Sequence, residues 1–376
     1  MRTVLISGAG VAGATLAHWL DRAGLSPTLV EQSQGVRSSG NPVDVRDAAL
    51  GITATMGVLP ALRDHATHAS GAVIINAAGT AIATLPGGPN AGRDDGTGEV
   101  EVPRADLARV LLDSCRDSEL IFDDSISELT DDGTGVDVRF RSGRERRFDL
   151  VIGADGVHSA TRKLIFGPEQ QFLTHLGLYV GTVAADLAGA SADVVQLYNA
   201  PGRVAAVHPG RDVPGAAFIF RHPQVPDFDS RATALHKKLI LDSYAGDGWL
   251  VPQLLDRVRA TDDLYFDAVS RIDLPKWSRG RVGLVGDAAS SISLLGDGST
   301  KAIIGAHTLA EELAATDDHR AAFRRYQDRH RRLISSRRSV RIAAAMLVPK
   351  TAAGLAVRNG AARTFDRLSR SRFRTP

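Results

Sequence analysis

Apolar positions at the start of the chain form two short runs that flank a segment of helix-forming composition. The runs are Thr3 to Ser7 and Pro27 to Glu31, and between them lie the glycine-rich Gly8 to Gly13 and the helical stretch Ala12 to Ala23. Strand-like runs around a helical segment are typical of a βαβ unit. Two strands joined in this way pair in parallel through a right-handed crossover.

The hydrophobic pattern further along the chain predicts more helices and two further groups of strands. Helices are predicted at Gly51 to Leu59 and Pro103 to Arg116, and alternating segments between 120 and 152 predict a small meander. From Phe172 to Ile272 the pattern predicts mostly strands, with one helix near Ala232 to Tyr244. A buried strand at Val282 to Val285 then precedes a long helix and a basic helical tail.

Composition places the chain among ordinary globular proteins. It has 376 residues, of which 43% are hydrophobic and 23% charged, and no apolar run approaches the roughly 18 residues of a membrane span. The start of the chain lacks the pattern of a secretory signal. Cys115 is the one cysteine, and we interpret it as a buried, inert thiol. A cytoplasmic location is therefore expected.

The net charge of +2 conceals a basic C-terminal region. From Arg324 onward, fifteen Lys or Arg residues stand against two Asp or Glu. Such a region could bind nucleic acid or anionic lipid, but its helical spacing favours solvated helix faces. We therefore expect neither nucleic acid nor membrane as a partner.

The glycine-rich turn carries the first chemical signal. Gly8-Ala9-Gly10-Val11-Ala12-Gly13 is a G-x-G-x-x-G between a strand and a helix. The first glycine allows the tight turn, the second lets the backbone approach a pyrophosphate, and the third allows close packing of helix and strand. Glu31 ends the next strand eighteen residues later, where a carboxylate can bind an adenosine ribose. The pattern predicts a dinucleotide site.

Two further strands end in glycine and aspartate. The segment Asp149 to Arg162 contains Gly153-Ala154-Asp155-Gly156, and the segment Gly280 to Ala289 contains Gly286-Asp287-Ala288-Ala289. We expect Asp155 to lie near the phosphates. An aspartate at the carboxyl end of a strand can bind the hydroxyls of a ribityl chain, which is the role predicted for Asp287.

These three motifs, in this order, resemble those of the class A flavoprotein monooxygenases, the group of p-hydroxybenzoate hydroxylase and the tetracycline-degrading monooxygenases. The resemblance covers nearly the whole chain. It implies an α/β fold: a Rossmann-like FAD-binding domain with a parallel sheet, an inserted, mostly antiparallel substrate-binding sheet, and C-terminal helices. The implied division is 1–171 and 273–320 for the FAD-binding domain, 172–272 for the substrate-binding sheet and 321–376 for the basic helices.

The resemblance also implies site residues. Arg37 and Asp44 lie six and thirteen residues past Glu31, as in the tetracycline-degrading members, and Arg104 matches an arginine that reaches the flavin. The full set implied for FAD is Gly8, Gly10, Ala12, Gly13, Glu31, Gln32, Arg37, Asp44, Arg104, Asp155, Gly286, Asp287, Gly298 and Ser299. Arg46, Leu294 and Asp297 are assigned to the substrate or NAD(P)H side. His65, His68, His208 and His222 lack metal-ligand spacing, and no metal is expected.

The chain departs from the family after Gly-Asp-Ala-Ala. The segment that follows this motif lacks the usual proline, is one residue shorter than in the family and places Asp297 between two glycines. A carboxylate there opposes the negative charge that develops on a reduced flavin. Lys301 could neutralise Asp297 across one helical turn, or Asp297 could cap the helix.

The reaction implied by the resemblance is a monooxygenation. NAD(P)H, visiting transiently, reduces FAD, and one atom of dioxygen then passes to an aromatic or polycyclic small molecule. Abundant Arg, Ala and Gly suggest a bacterial source and natural-product tailoring. The substrate pocket is expected between residues 194–221 and residues 40–46. Two alternatives stay open: a flavin-dependent dehydrogenase or reductase, favoured by Asp297, and a non-catalytic flavoprotein. The protein is expected to be a monomer or homodimer.

Overall fold

A computed structural model describes residues 2–35, 42–67, 69–86, 98–115, 117–210, 213–291, 297–334 and 337–372. The strands are β1 (Thr3–Ser7), β2 (Ser26–Glu31), β3 (Val43–Val45), β4 (Gly71–Ile75), β5 (Ala81–Pro86), β6 (Val100–Val102), β7 (Glu119–Phe122), β8 (Ile126–Asp131), β9 (Val136–Phe140), β10 (Glu145–Phe148), β11 (Leu150–Gly153), β12 (Leu173–Ala184), β13 (Val195–Ala200), β14 (Arg203–His208), β15 (Gly215–Arg221), β16 (Tyr265–Ile272), β17 (Ser278–Arg279) and β18 (Val282–Leu284).

The helices are α1 (Val11–Arg22), α2 (Ala48–Thr55), α3 (Leu59–Asp64), α4 (Arg104–Asp113), α5 (Ala160–Phe166), α6 (Thr233–Tyr244), α7 (Val251–Ala260), α8 (Gly298–Ala314), α9 (His319–Arg331), α10 (Arg337–Leu347) and α11 (Ala352–Arg372). Two 3₁₀ turns lie at Glu169–Gln171 and Gly286–Ala288. In the described part of the chain, no helix combines the length and apolar content needed to cross a bilayer.

A six-stranded sheet forms the centre of the first half of the molecule. Its order is β17-β18-β11-β1-β2-β7, and all its strands are parallel except β17. The predicted βαβ unit is confirmed as β1, α1 and β2. Helices α1 and α8 pack together on one face of this sheet, with Leu16, Leu20 and Ile303 fully buried. The sheet edge where β1, β11 and β18 end is therefore backed by a rigid core.

Two sequence predictions near this sheet need correction. Residues 120–122 were predicted to belong to the meander, but β7 pairs in parallel with β2, and the meander contains β8, β9 and β10. The helix predicted at 51–59 is interrupted, since Gly57 has a φ of +77° and α3 begins at Leu59 with Pro60 in its first turn. A left-handed residue ends a helix, and proline favours the first turn of the next one.

The second large sheet is mostly antiparallel, as predicted. Its order is β16-β12-β15-β14-β13-β4-β5, and only the β13–β4 pair is parallel. Strands β4 and β5 come from a region assigned to the FAD-binding half by sequence. They join at the far edge through β13, where Val195 pairs with Ala72. Contacts between residues this distant in sequence leave no local pattern.

The basic C-terminal region is helical: α9 packs against α8, whereas α10 and α11 pack on the second sheet. Val348, after α10, is fully buried beside Leu178 and Val180, and Ala362 of α11 packs against Ile74. Cys115 is also buried, and burial raises the pKa of its thiol to about 11. The thiol is therefore protonated and inert at neutral pH.

Candidate active site

The three glycine-containing motifs meet at one edge of the six-stranded sheet. Strands β1, β11 and β18 are parallel neighbours, so their carboxyl ends lie side by side. The amide of Ala154 donates to the carbonyl of Ser7 at 2.7 Å, and the amide of Val285 donates to the carbonyl of Gly153 at 2.9 Å. In open α/β sheets this edge is where nucleotides bind.

Close backbone contacts explain two of the glycines. A Cβ atom on Gly8, where φ is +105°, would lie 2.5 Å from the carbonyl oxygen of Ala154. A Cβ atom on Gly13 would lie within van der Waals distance of the Gly8 carbonyl oxygen, at 1.9 Å. These glycines let α1 begin directly against the β1 and β11 ends. Ala12 touches the third motif, because a Cβ on Gly286 would lie 2.8 Å from the Ala12 Cβ.

Gly10 differs from the other two glycines because it faces open space. A Cβ there would have no neighbour within 4 Å among the described residues. Gly10 is the N-cap of α1, and the first amides of a helix have no acceptor within the helix. Beside them, the Glu31 carboxylate accepts hydrogen bonds from the amides of Ala9 and Ser33, both at 3.0 Å. An anionic group can approach these amides closely.

Asp155 is engaged within its own turn. Its carboxylate accepts hydrogen bonds from the Ser159 hydroxyl at 2.5 Å and from the amide and hydroxyl of Thr161 at 2.8 and 2.9 Å. Ser159 caps α5 by accepting from the amide of Arg162. The carboxylate thus fixes the turn, and contact between Asp155 and a phosphate stays a prediction.

Asp287 lies in the 3₁₀ turn after β18, where Gly286 has a φ of +63°. Burial raises the pKa of the Asp287 carboxyl, and the nearby Asp267 carboxylate acts in the same direction. The Arg104 guanidinium and a hydrogen bond from Ser291 oppose this shift. Arg104, at the start of α4, therefore lies within electrostatic reach of Asp287, and its contact with the flavin stays a prediction.

Helix α8 begins at the same edge. Gly298 faces open space, whereas Ser299 and Thr300 are buried. Asp297 occupies the N-cap position, but its side chain makes no capping hydrogen bond. Its carboxylate instead pairs with Lys301 Nζ at 2.5 Å. Of the two predicted arrangements, charge neutralisation by Lys301 is thus the one found.

Asp44 lies in the two-stranded ribbon formed by β3 and β6, and Arg46 directly follows β3. The Thr300 hydroxyl ties this ribbon to α8, since it donates to the Asp44 carbonyl at 2.8 Å and accepts from the Arg46 amide at 3.2 Å. Burial, together with the nearby carboxylates of Glu99 and Glu101, raises the pKa of Asp44 to about 6. The first turn of α8 therefore lies beside a carboxyl group that titrates near neutral pH.

Of three further predicted positions, the structure describes one. Gln32 is exposed, and its side-chain oxygen accepts from Arg231 at 3.3 Å. Arg37 and Leu294 lie outside the described residues.

The sequence analysis missed a group of charged residues near the sheet edge at which β11 and β18 end. The Arg162 side chain is fully buried, and His158 lies between Glu169 and Asp267. Their roles depend on contacts between distant segments. The Ser-x-x-Arg spacing after Asp155 was the one local signal.

Comparisons with known proteins agree with this geometry. The profile of the FAD binding domain family matches residues 1–333. The chain belongs to this FAD-binding family. The predicted cofactor class and the predicted enzyme class, an FAD-dependent monooxygenase, are confirmed by the family match together with the relatives below.

An uncharacterized protein of Mycobacterium tuberculosis H37Rv is 41% identical over 339 residues, which cover 87% of this chain and 89% of that protein. A flavin-dependent monooxygenase of Legionella longbeachae is 32% identical over 327 residues, 86% of this chain and 83% of the relative. The solved structure of the tetracycline destructase Tet(51) aligns with a TM-score of 0.83 at 25% identity, covering 100% of this chain and 99% of the other.

The residues present fit FAD. Gly10 leaves a cradle in which a side chain would stand, the first turn of α1 offers free amides, and Glu31 lies beside them. The half-buried Asp287 carboxyl lies beyond, at the β18 end. These features follow one sheet edge, as an extended dinucleotide requires.

Proposed function

We propose that this protein is a single-component monooxygenase that uses NAD(P)H and dioxygen to insert one oxygen atom into an aromatic or polycyclic small molecule. The observation that carries the proposal is the convergence of three glycine turns at the carboxyl ends of β1, β11 and β18, directly beside the β3–β6 ribbon. Relatives named flavin-dependent monooxygenase support the reaction class.

Each part of FAD has a proposed set of partners. The first turn of α1 binds the pyrophosphate, Glu31 and Gln32 bind the adenosine ribose, and Asp287 binds the ribityl chain with Arg104 nearby. The α8 start at Gly298 and Ser299 faces the flavin ring. Asp44 lies on the cofactor side, and Arg46 and Asp297 lie on the substrate and nicotinamide side.

When bound, FAD supplies the redox chemistry, accepting hydride from the nicotinamide and reacting with dioxygen once reduced. The protein binds, orients and excludes water. The amides at the start of α8 favour negative charge on the flavin ring. Because Lys301 compensates Asp297 at 2.5 Å, the carboxylate does not cancel this effect. The argument from Asp297 for a dehydrogenase is therefore weaker.

The likeness to Tet(51), named a tetracycline destructase, supports a proposal for the substrate class. We propose a fused-ring phenol or a related aromatic compound, bound between the β3–β6 ribbon and the second sheet. No second G-x-G-x-x-G is present in the sequence, which supports a nicotinamide that binds transiently. We further propose a cytoplasmic enzyme, monomeric or homodimeric, with domain boundaries at 171, 272 and 320.

The reaction is tested by supplying ¹⁸O₂ with NADPH or NADH and a panel of polycyclic phenols. The proposal predicts faster nicotinamide oxidation with one or more compounds and a product 16 Da heavier with ¹⁶O₂ and 18 Da heavier with ¹⁸O₂. Label entering from H₂¹⁸O instead, or substrate oxidation without oxygen gain, would contradict oxygen insertion.

A further inference from the structure

The ring of His158 bridges two carboxylates from different parts of the fold. Its Nδ1 lies 3.0 Å from an oxygen of Glu169, in a 3₁₀ turn, and its Nε2 lies 3.1 Å from an oxygen of Asp267, in β16 of the second sheet. A neutral imidazole can donate from only one nitrogen. Both contacts are satisfied when the ring carries two protons, and the two carboxylates, Asp267 first, raise the pKa of His158 to about 10. The ring is therefore a cation at neutral pH.

Glu169 passes this connection on to a buried arginine. Its second oxygen accepts from Arg162 Nη2 at 2.9 Å, and the Arg162 side chain is 0% exposed. The same guanidinium donates to the Val157 carbonyl at 2.6 Å and to the Ala288 carbonyl at 3.2 Å. Ala288 directly follows Asp287. A continuous line of polar contacts thus runs from the second sheet to the turn that faces the cofactor.

The charges along this line balance. Two cations, His158 and Arg162, face two carboxylates, Glu169 and Asp267. The Asp267 carboxylate also acts on Asp287, whose pKa it raises beyond the effect of burial. Without the positive charge of His158, the carboxylate of Asp267 would add uncompensated negative charge beside the ribityl end of FAD, whose own phosphates are anionic.

We propose that His158 is a positioning residue, whose cation joins Glu169 to Asp267 and so holds β16 of the second sheet against the FAD-binding turn while cancelling the Asp267 charge. This rests on FAD binding but goes beyond the proposed reaction. The His158 side chain is itself 34% exposed, and a fully exposed ion pair contributes little. Asp267 and Glu169 have side chains only 14% and 28% exposed, so water screens the contacts incompletely.

The test compares FAD retention in holoenzymes that differ in this charge. His158→Gln keeps a hydrogen-bond donor and removes the cation, and His158→Gln with Asp267→Asn removes both charges. Holoenzyme is diluted stepwise, and released FAD is measured by its fluorescence. We expect His158→Gln to raise the dissociation constant of FAD about tenfold, and the double variant to return within about threefold of the native value.

Charge repair separates this role from a loss of shape. If the double variant releases FAD as readily as His158→Gln or more readily, the charge role is wrong. Unchanged FAD retention in folded His158→Gln protein also overturns the proposal. Lys238→Gln is the matched control, because it breaks an exposed ion pair of 2.6 Å with Asp242 in α6, and it should leave FAD retention unchanged. Failure of the native protein to retain FAD would instead overturn the proposed function.

Discussion

Replacing Gly13 with alanine tests how α1 meets the sheet. The new Cβ would lie 1.9 Å from the Gly8 carbonyl oxygen and 3.3 Å from the Ile6 Cγ2. Real Cβ atoms essentially never lie within 3.0 Å of such an atom. The start of α1 must therefore move away from β1 by about 1 Å. Overpacking of this kind costs about 1–3 kcal/mol of unfolding free energy.

The same movement withdraws helix amides from the pyrophosphate. A hydrogen bond to a charged group contributes about 1.5–3 kcal/mol, and each 1.4 kcal/mol is about tenfold in affinity. Losing the equivalent of one such bond therefore weakens FAD binding about ten- to hundredfold. Gly13→Ala should lower both unfolding free energy and FAD affinity.

Gly10→Ala is the matched variant. Its Cβ meets nothing within 4 Å among the described residues, and the backbone at Gly10, with φ −77° and ψ −169°, admits alanine. The FAD-free protein should lose less than about 1 kcal/mol, the scale of an N-cap change. FAD binding should nevertheless fall at least about tenfold, because the methyl group occupies the space proposed for the pyrophosphate.

Two assays separate these effects. Urea unfolding of the FAD-free proteins gives the unfolding free energy, and a fluorescence titration gives the dissociation constant of FAD. Gly13→Ala protein with native values in both assays would refute the packing argument. Native FAD affinity in Gly10→Ala would refute the placement of the pyrophosphate at α1.

Three further predictions concern charged side chains. Asp44 has a pKa of about 6, which is above its value in the unfolded chain. The stability contributed by its protonated carboxyl is therefore complete below about pH 4 and is lost as pH rises to about 6. Asp44→Asn should flatten the pH dependence of the unfolding free energy over that interval, and an unchanged pH profile would argue against this role of Asp44. Arg162→Met leaves Glu169 without its buried partner and should lower unfolding free energy by about 2–4 kcal/mol in urea, whereas a loss below about 0.5 kcal/mol would contradict this role. Lys301→Gln should lower the flavin midpoint potential and Asp297→Asn should raise it in a dye equilibrium; unchanged potentials in both variants would show that neither charge acts on the flavin.

Local sequence patterns were sufficient to predict the core of the fold. The strand, glycine turn and helix at residues 3–23 follow from short-range periodicity and from steric limits that only glycine relieves, and the structure confirms them. The β-rich segments of residues 172–272 predicted a second sheet, and the family resemblance implied its mostly antiparallel arrangement, which the structure confirms. The βαβ unit depends on interactions between residues close in sequence, whereas the second sheet also joins distant strands, such as β12 and β16, in which Tyr179 pairs with Ala268.

Features that depend on distant contacts were not predictable in this way. Strand β4 pairs with β13, which lies more than a hundred residues further along the chain, and His158 contacts Asp267, which is 109 residues away in sequence. The choice between capping and pairing at Asp297 was also open, because both use one carboxylate at one helix start. The position of the Lys301 side chain decides it.

The most direct test of the monooxygenase account is the visible spectrum of the purified protein during one redox cycle. The account predicts a yellow protein with FAD absorbance that bleaches when NADPH or NADH is added without oxygen, faster with a suitable polycyclic phenol, and returns when air is admitted. FAD that stays oxidised with both nicotinamides across the substrate panel, or purified protein that binds no FAD, would contradict it.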